Sequence, residues 1–239
     1  INWRTGADSS RLVRDSEGRR SELPPMGLTL QSDGMCGEET VEERLAISLR
    51  VAGRSPDEAR MAEMLSVWGL EHRRADRISQ LSGGMRRRLA VLCGLAPAAL
   101  CGDSRVALLD EPSEGLDESA RGLLTGWLRA LAANGHGVVV ATHDAEVIRC
   151  ADRVVSVEGS NLIEAAGGSV GAIAQLPQPS DSTEPSTLGS LLKWAFRMET
   201  RNPIDTIGRA TPALVALLLA YTLVGEVDMG HAGNGMLSA

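Results

Sequence analysis

Asp110 and Glu111 close an apolar run, Val106-Ala107-Leu108-Leu109. Such a run reads as a buried parallel strand, and residues at its C-terminal end emerge at the ligand edge of the sheet. One carboxylate there can hold Mg²⁺, usually through water, while the next polarises an attacking water. Leu81-Ser82-Gly83-Gly84-Met85 precedes an Arg-rich helix. A hydroxyl and two glycines at a helix start expose backbone N–H groups, and the helix dipole favours the negative charge of a phosphate oxygen. His143 follows Thr142 after a second apolar run, where a neutral imidazole can bond a phosphate or an attacking water. Gln31 closes a short alternating stretch, and its amide oxygen can ligate Mg²⁺ or orient water. Each feature alone has an ordinary reading too. Apolar runs before acids are common, Ser is a usual N-cap, a His at a strand end is usually structural, and a lone Gln is uninformative.

The elements that must position these groups alternate between strand and helix. Residues 27–31 alternate as a short strand, and Val41, Leu45 and Leu49 form a helical stripe. A second helix is predicted from Ser55-Pro56-Asp57-Glu58, with Ser as N-cap and Pro at the first helical position, running to Trp68 and stopping at Gly69. Helices follow over 82–95, 119–133 and 145–150. Strands are predicted at 106–109 and 137–142, and a final one at 154–157 with a turn at Glu158-Gly159. The expected class is α/β, a parallel sheet covered by helices.

Taken together and in order, Gln31, Leu81-Ser82-Gly83-Gly84, Asp110-Glu111, Ser113-Glu114-Gly115-Leu116-Asp117 and Thr142-His143-Asp144 resemble the nucleotide-binding domain of ATP-binding cassette (ABC) transporters. They stand where that family has its Q-loop, signature motif, Walker B strand with catalytic glutamate, D-loop and H-loop. The resemblance covers residues 1–163 and implies a P-loop NTPase-like sheet with a helical subdomain over about 32–78 that faces a membrane partner. It implies ATP and Mg²⁺ as ligands, and a second cassette bound head to tail. Gln31 would contact Mg²⁺ and water. Leu81, Ser82, Gly83 and Gly84 form the signature, whose Ser and glycines would meet the γ-phosphate of ATP on the opposite subunit. Asp110 would assist Mg²⁺, Glu111 would be the general base, Asp117 would link the subunits, and His143 would touch the γ-phosphate. Met85 stands where the family most often has Gln. The family's G-x-x-x-x-G-K-[ST] phosphate loop is found nowhere in the chain. With Ile1 as first residue, this leads to the expectation of an N-terminally truncated cassette; a degenerate, non-catalytic regulatory subunit is the alternative. A soluble cassette ATPase of translation or repair is another, disfavoured because residues 32–78 carry no long heptad insert.

Composition narrows the function classes. The chain has 239 residues, with 43% hydrophobic and 23% charged, as in globular proteins. A formal charge of -7 disfavours nucleic acid as a partner, and 3% aromatics leaves no stacking platform for bases. Cys36, Cys93, Cys101 and Cys150 form no C-x-x-C pair, and with His72, His136, His143 and His231 scattered, no zinc-ligand spacing emerges. Residues 164–187 have linker composition, with Pro177, Pro179 and Pro185. Beyond 188 a basic amphipathic stretch precedes the apolar run 213–224, which reaches spanning length if 206–212 is added with Arg209 snorkelling. Lys193, Arg197, Arg201 and Arg209 before the run, and Glu226 and Asp228 after it, predict a transmembrane helix with its N-terminal flank in the cytoplasm. Residues 194–201 faintly resemble the opening of the permease of cytochrome c maturation (haem) exporters. An ATPase–permease fusion is the corresponding expectation.

Overall fold

The computed structural model describes residues 26–179, save positions 33, 55, 101, 103, 104, 159 and 160, and isolated positions between 189 and 197. Two compact units divide the chain, residues 1–186 and 187–239.

In the first unit three strands form a parallel sheet: β1 (Met26–Thr29), β2 (Val106–Asp110) and β3 (Gly137–Ala141), in the order β1-β2-β3. Thr29 lies beside Leu109, and Asp110 beside Ala141. All three strands therefore end at one edge, and Gln31, Glu111 and His143 follow directly.

The crossover from β1 to β2 is helical. In α1 (Val41–Val51), Thr40 caps the start reciprocally with Glu43: the Glu43 N–H donates to the Thr40 hydroxyl at 3.2 Å and the Thr40 N–H to the Glu43 carboxylate at 3.0 Å. The next helix, α2 (Glu58–Val67), starts later than the Ser55-Pro56 signal suggests. Asp57 is the cap, because its carboxylate takes the Arg60 N–H at 3.1 Å. Two 3₁₀ turns, Glu71–Arg73 and Ile78–Gln80, lead into α3 (Gly83–Ala99). Ser82 caps α3 through the Met85 N–H at 3.3 Å. The helix runs past Leu95 with Pro97 in its last turn. From Leu89 to Ala99 every residue is buried, so α3 is the central helix rather than an amphipathic surface one.

Next, α4 (Glu118–Ala133) returns the chain from β2 to β3, and α5 (Ala145–Cys150) follows β3. Trp68 and Trp127 meet edge to face at 5.6 Å in the buried layer that also holds Leu45, Leu65, Leu89 and Leu131.

Two features depart from expectation. Helices cover one face of the sheet, where Gly27, Ala107 and Leu109 are buried. On the opposite row Leu28 is 45% and Val139 57% exposed. The stretch predicted as a last strand is one arm of a separate antiparallel hairpin, β4 (Arg153–Glu158) with β5 (Asn161–Ala166). Thus β5 takes in the first residues of the expected linker, and the chain beyond it stays bonded to the domain: Val170 N–H to Arg149 O at 3.1 Å and Ala174 N–H to Gly126 O at 3.1 Å. The first part of the expected linker, as far as Ala174, is therefore laid along α4 and α5, ahead of the prolines. In the second unit Leu192, Phe196 and Arg197 are helical and exposed. No helix among the described residues is long and apolar enough to cross a membrane, and the predicted span over 206–224 lies outside them.

Helix α3 touches β1 backbone to backbone. A Cβ on Gly27 would sit 1.8 Å from the Gly94 carbonyl oxygen, and one on Gly94 would sit 2.0 Å from the Thr29 hydroxyl. Gly27→Ala is expected to destabilise the fold by about 1–3 kcal/mol or more, since a backbone oxygen cannot swing aside. On the exposed face of α4, a Cβ on Gly122 would meet nothing within 4 Å, and Gly122→Ala should stabilise by about 0.5–1 kcal/mol. Urea unfolding midpoints of the two variants should move in opposite directions.

Candidate functional site

Glu111 leaves β2 with a φ of 45°, a left-handed conformation unusual for a residue with a side chain. Its N–H donates to Ala141 O at 2.8 Å, which ties the bend to the end of β3. The residues after β3 then hold its carboxylate. The Thr142 hydroxyl donates to Oε2 at 3.1 Å, and His143 Nδ1 donates to Oε1 at 2.8 Å. Thr142 is itself oriented by the Asp144 N–H, which donates to its hydroxyl at 3.1 Å. Strain of this kind costs about 1–3 kcal/mol and persists only where the surroundings over-determine it.

Burial pushes the Glu111 pKa up, but the hydrogen bonds from His143 and Thr142 outweigh it, and the carboxyl ends below its ordinary value of 4.5. The Glu111 carboxylate raises His143 above its ordinary 6.5, first by the hydrogen bond and then by its charge. The site therefore presents an ionised carboxylate beside an imidazole whose ring is largely exposed, at 87%. Such a pair can accept a proton from water or share one with an anionic ligand.

On the other side of β2 an open cleft of about 650 Å³ is lined by Leu30, Gln31, Gly83, Arg87, Asp110 and Glu114, among others. Gln31 donates to Glu114 Oε2 at 3.4 Å. Ser82, Gly83 and Gly84 are exposed at the start of α3, as an anion site requires. The Leu81 side chain is 6% exposed and packs in the core, so it anchors the start of α3 instead of facing a ligand. Asp117 caps α4 through the Ala120 N–H at 2.9 Å and pairs with Arg88. Those two bonds, the backbone one first, hold its carboxyl below the ordinary range. Its carboxylate is thus engaged within the chain. Among the described residues no group of His, Cys, Asp and Glu could hold a metal ion unaided. Gln31 and Asp110 on one cleft fit Mg²⁺, which keeps several waters and takes one or two protein oxygens alongside phosphate.

Three contributors have no role of their own in the sequence reading. Thr142 and Glu114 stand there only as neighbours of His143 and Asp117 in their motifs, and Arg87 as one of three exposed-looking arginines. Only the arginine had a signal: it falls on the same face of α3 as Ala90 and Gly94.

The sequence profile of the family described as "ABC transporter" matches residues 3–114. The methionine import ATP-binding protein MetN of Mesorhizobium japonicum is 30% identical over 271 positions, which cover 98% of this chain and 72% of MetN. The chain belongs to the ABC transporter family. This ABC chain is also 31% identical over 233 positions to the macrolide export ATP-binding/permease protein MacB of Marinobacter nauticus, covering 96% of the chain and 35% of MacB. It is 37% identical over 145 positions to the Nod factor export ATP-binding protein I of Burkholderia orbicola, covering 59% of the chain and 46% of the relative. It spans between 24% and 56% of the length of the export relatives it matches. An ATP-binding subunit of an ABC transporter superposes with a TM-score of 0.53 at 23% identity, over 60% of this chain and 59% of that one. A dimeric post-hydrolysis cassette bound to ADP and Pi superposes with a TM-score of 0.51 at 25% identity, over 59% of this chain and 62% of that one. The fold is the α/β P-loop fold of ABC ATPases.

The pair Glu111–His143 makes this ABC chain sensitive to pH. Because the folded pKa of His143 is raised, its contribution is complete below 6.5 and is lost as pH rises through the folded value. Because that of Glu111 is lowered, its contribution is complete above 4.5 and is lost as pH falls through the folded value. The pair should therefore be fully formed between pH 4.5 and 6.5. In an NMR titration of ¹⁵N-histidine-labelled protein, Glu111→Gln should bring the His143 midpoint down towards 6.5. An unmoved midpoint would dissolve the pair.

Proposed function

We propose that the chain is the ATP-hydrolysing, energy-coupling part of an ABC exporter, working at the cytoplasmic face of a membrane with a permease and a second cassette. The observation that carries this reading is Glu111: an ionised carboxylate locked by Thr142 and His143 at the sheet edge, next to Asp110 and across from Gln31.

Glu111 is the general base that takes a proton from the attacking water. His143, on the same carboxylate, faces outward to the γ-phosphate and keeps Glu111 turned towards the water. Asp110 and Gln31 hold Mg²⁺ through oxygen or water, and the ion supplies neutralisation of phosphate charge when bound. Ser82, Gly83 and Gly84 offer N–H groups to the γ-phosphate of ATP held by the second cassette. The dimeric cassette among the structural neighbours supports that partner, and the ATP-binding/permease relative supports the membrane one. Asp117, held by Arg88 within the chain, places the loop that meets the second cassette. The helical stretch over about 32–78 is the face offered to the permease, and the sequence holds no G-x-x-x-x-G-K-[ST] phosphate loop.

Export is supported by the macrolide and Nod factor relatives. Haem as the cargo, and a fusion of the cytochrome c maturation type, rest on residues 194–201 alone, and the relatives named above carry other cargoes. In the native membrane assembly, Glu111→Gln should lower ATP turnover about 10²–10⁴-fold while ATP still binds. Turnover at the parental rate would remove Glu111 as the base and the reading with it.

We further propose that residues 206–224, which lie outside the described residues, cross the membrane with Lys193 and Arg197 on the cytoplasmic side and His231 on the far side, on the strength of their apolar run and flanking charges. A reporter that is active only in the periplasm should work when fused after Ala239 in a bacterial host. Activity of a cytoplasm-only reporter, with protein released by carbonate wash, would return the segment to a soluble helix.

A further inference from the structure

Arg87 is 4% exposed, and both terminal nitrogens of its guanidinium donate to backbone carbonyls. One terminal nitrogen donates to Leu30 O at 2.7 Å and Gln31 O at 3.1 Å. The other donates to Asp110 O at 3.1 Å and to Glu111 O. These four carbonyls belong to the ends of two neighbouring parallel strands, just where Gln31 and Glu111 depart. Buried carbonyls without donors are costly, and a planar fork of fixed N–H groups satisfies four at once in a way that an ammonium cannot.

We propose that Arg87 is a positioning residue that sets where the Gln31 amide and the Glu111 carboxylate stand relative to the glycine-rich start of α3. The proposal rests on the reading of Gln31 and Glu111 as the working groups. Glu111 sits in a left-handed conformation that must be enforced from several sides. Ala141 holds its N–H, Thr142 and His143 hold its carboxylate, and Arg87 holds its carbonyl. The same guanidinium binds both carbonyls around Gln31, so a shift of α3 moves both working groups together. Ser82 and Gly83 lie about one turn earlier on the same helix, so the anion-facing start of α3 and the two working groups share one rigid connection.

The test reads His143 in the 239-residue chain without nucleotide. Its imidazole is titrated by ¹⁵N NMR, with His143→Asn to assign the signal, and circular dichroism and urea midpoints are taken in parallel. Arg87→Met removes the fork. It should release the Glu111 backbone, weaken the His143 contact and bring the His143 midpoint down towards 6.5. Arg87→Lys keeps the charge but not the fork, and should fall between parent and Arg87→Met. A residue that only stabilised the fold would lower the urea midpoint and leave the titration of the folded state unchanged. A folded Arg87→Met protein with the parental His143 midpoint therefore overturns the proposal. If Arg87→Met does not fold, Arg87→Gln, neutral with two N–H donors, is judged by the same criterion. Because no nucleotide is present, the outcome is separate from the ATPase reading. A moved His143 midpoint alongside intact turnover in Glu111→Gln membranes would keep the positioning role and sink the base.

Discussion

The contact on which the site depends is the one between α3 and β1. Gly27 and Gly94 let two backbones meet with no side chain between them. Arg87, Ala90 and Gly94 are spaced three and four apart and so share one face of α3. Gly94 lies against β1, the Ala90 carbonyl takes the Thr29 hydroxyl at 3.3 Å, and Arg87 holds the carbonyls just past the strand. This seam spans two turns, about 10 Å. It brings the start of α3, with Ser82 and Gly83, to the edge where Gln31 and Asp110 emerge. A side chain at either glycine would lever that start away.

The second constraint is the parallel sheet. Register places the ends of β2 and β3 side by side, so one sharp bend at Glu111 is enough to hand its carboxylate to the two residues that follow β3. A base needs a fixed direction and an ionised form, and the same two hydrogen bonds supply both. The exposed His143 is left as the group that an incoming anion meets first. The open cleft on the other side of β2 gathers Gln31, Asp110 and Glu114, so in the proposed function the base and the groups that would hold Mg²⁺ flank a single strand end.

Much of this was legible in the chain. The apolar runs before Asp110 and His143 mark strands whose ends carry polar groups, and Ser82 announces a helix start with exposed glycines. Order and spacing then single out one family. Other features were hidden because they depend on partners distant in sequence. Asp57 displaces Ser55 as a cap by a local choice between two good signals. Arg87 looks like a surface residue until the carbonyls of two strands are laid beside it. Leu81 belongs to the same motif as Ser82, yet its side chain turns into the core, since motif membership does not fix which way a residue faces. The hairpin β4–β5 reads as a strand followed by linker because its second arm, Asn161–Ala166, merges into a Gly- and Ser-rich composition.

In the proposed function these residues make up the base, cation and signature parts of an ATP site and leave the phosphate cradle to a loop found nowhere in this sequence. Backbone N–H groups and a lysine of that loop ordinarily hold the β- and γ-phosphates. The most direct measurement is a calorimetric titration of the 239-residue chain with Mg-ATP. The expected result is binding no tighter than about millimolar, some 4 kcal/mol at 25 °C. A micromolar dissociation constant would mean that the chain holds the phosphates by itself, and would contradict the account of a site that has base, cation and signature groups but no phosphate cradle.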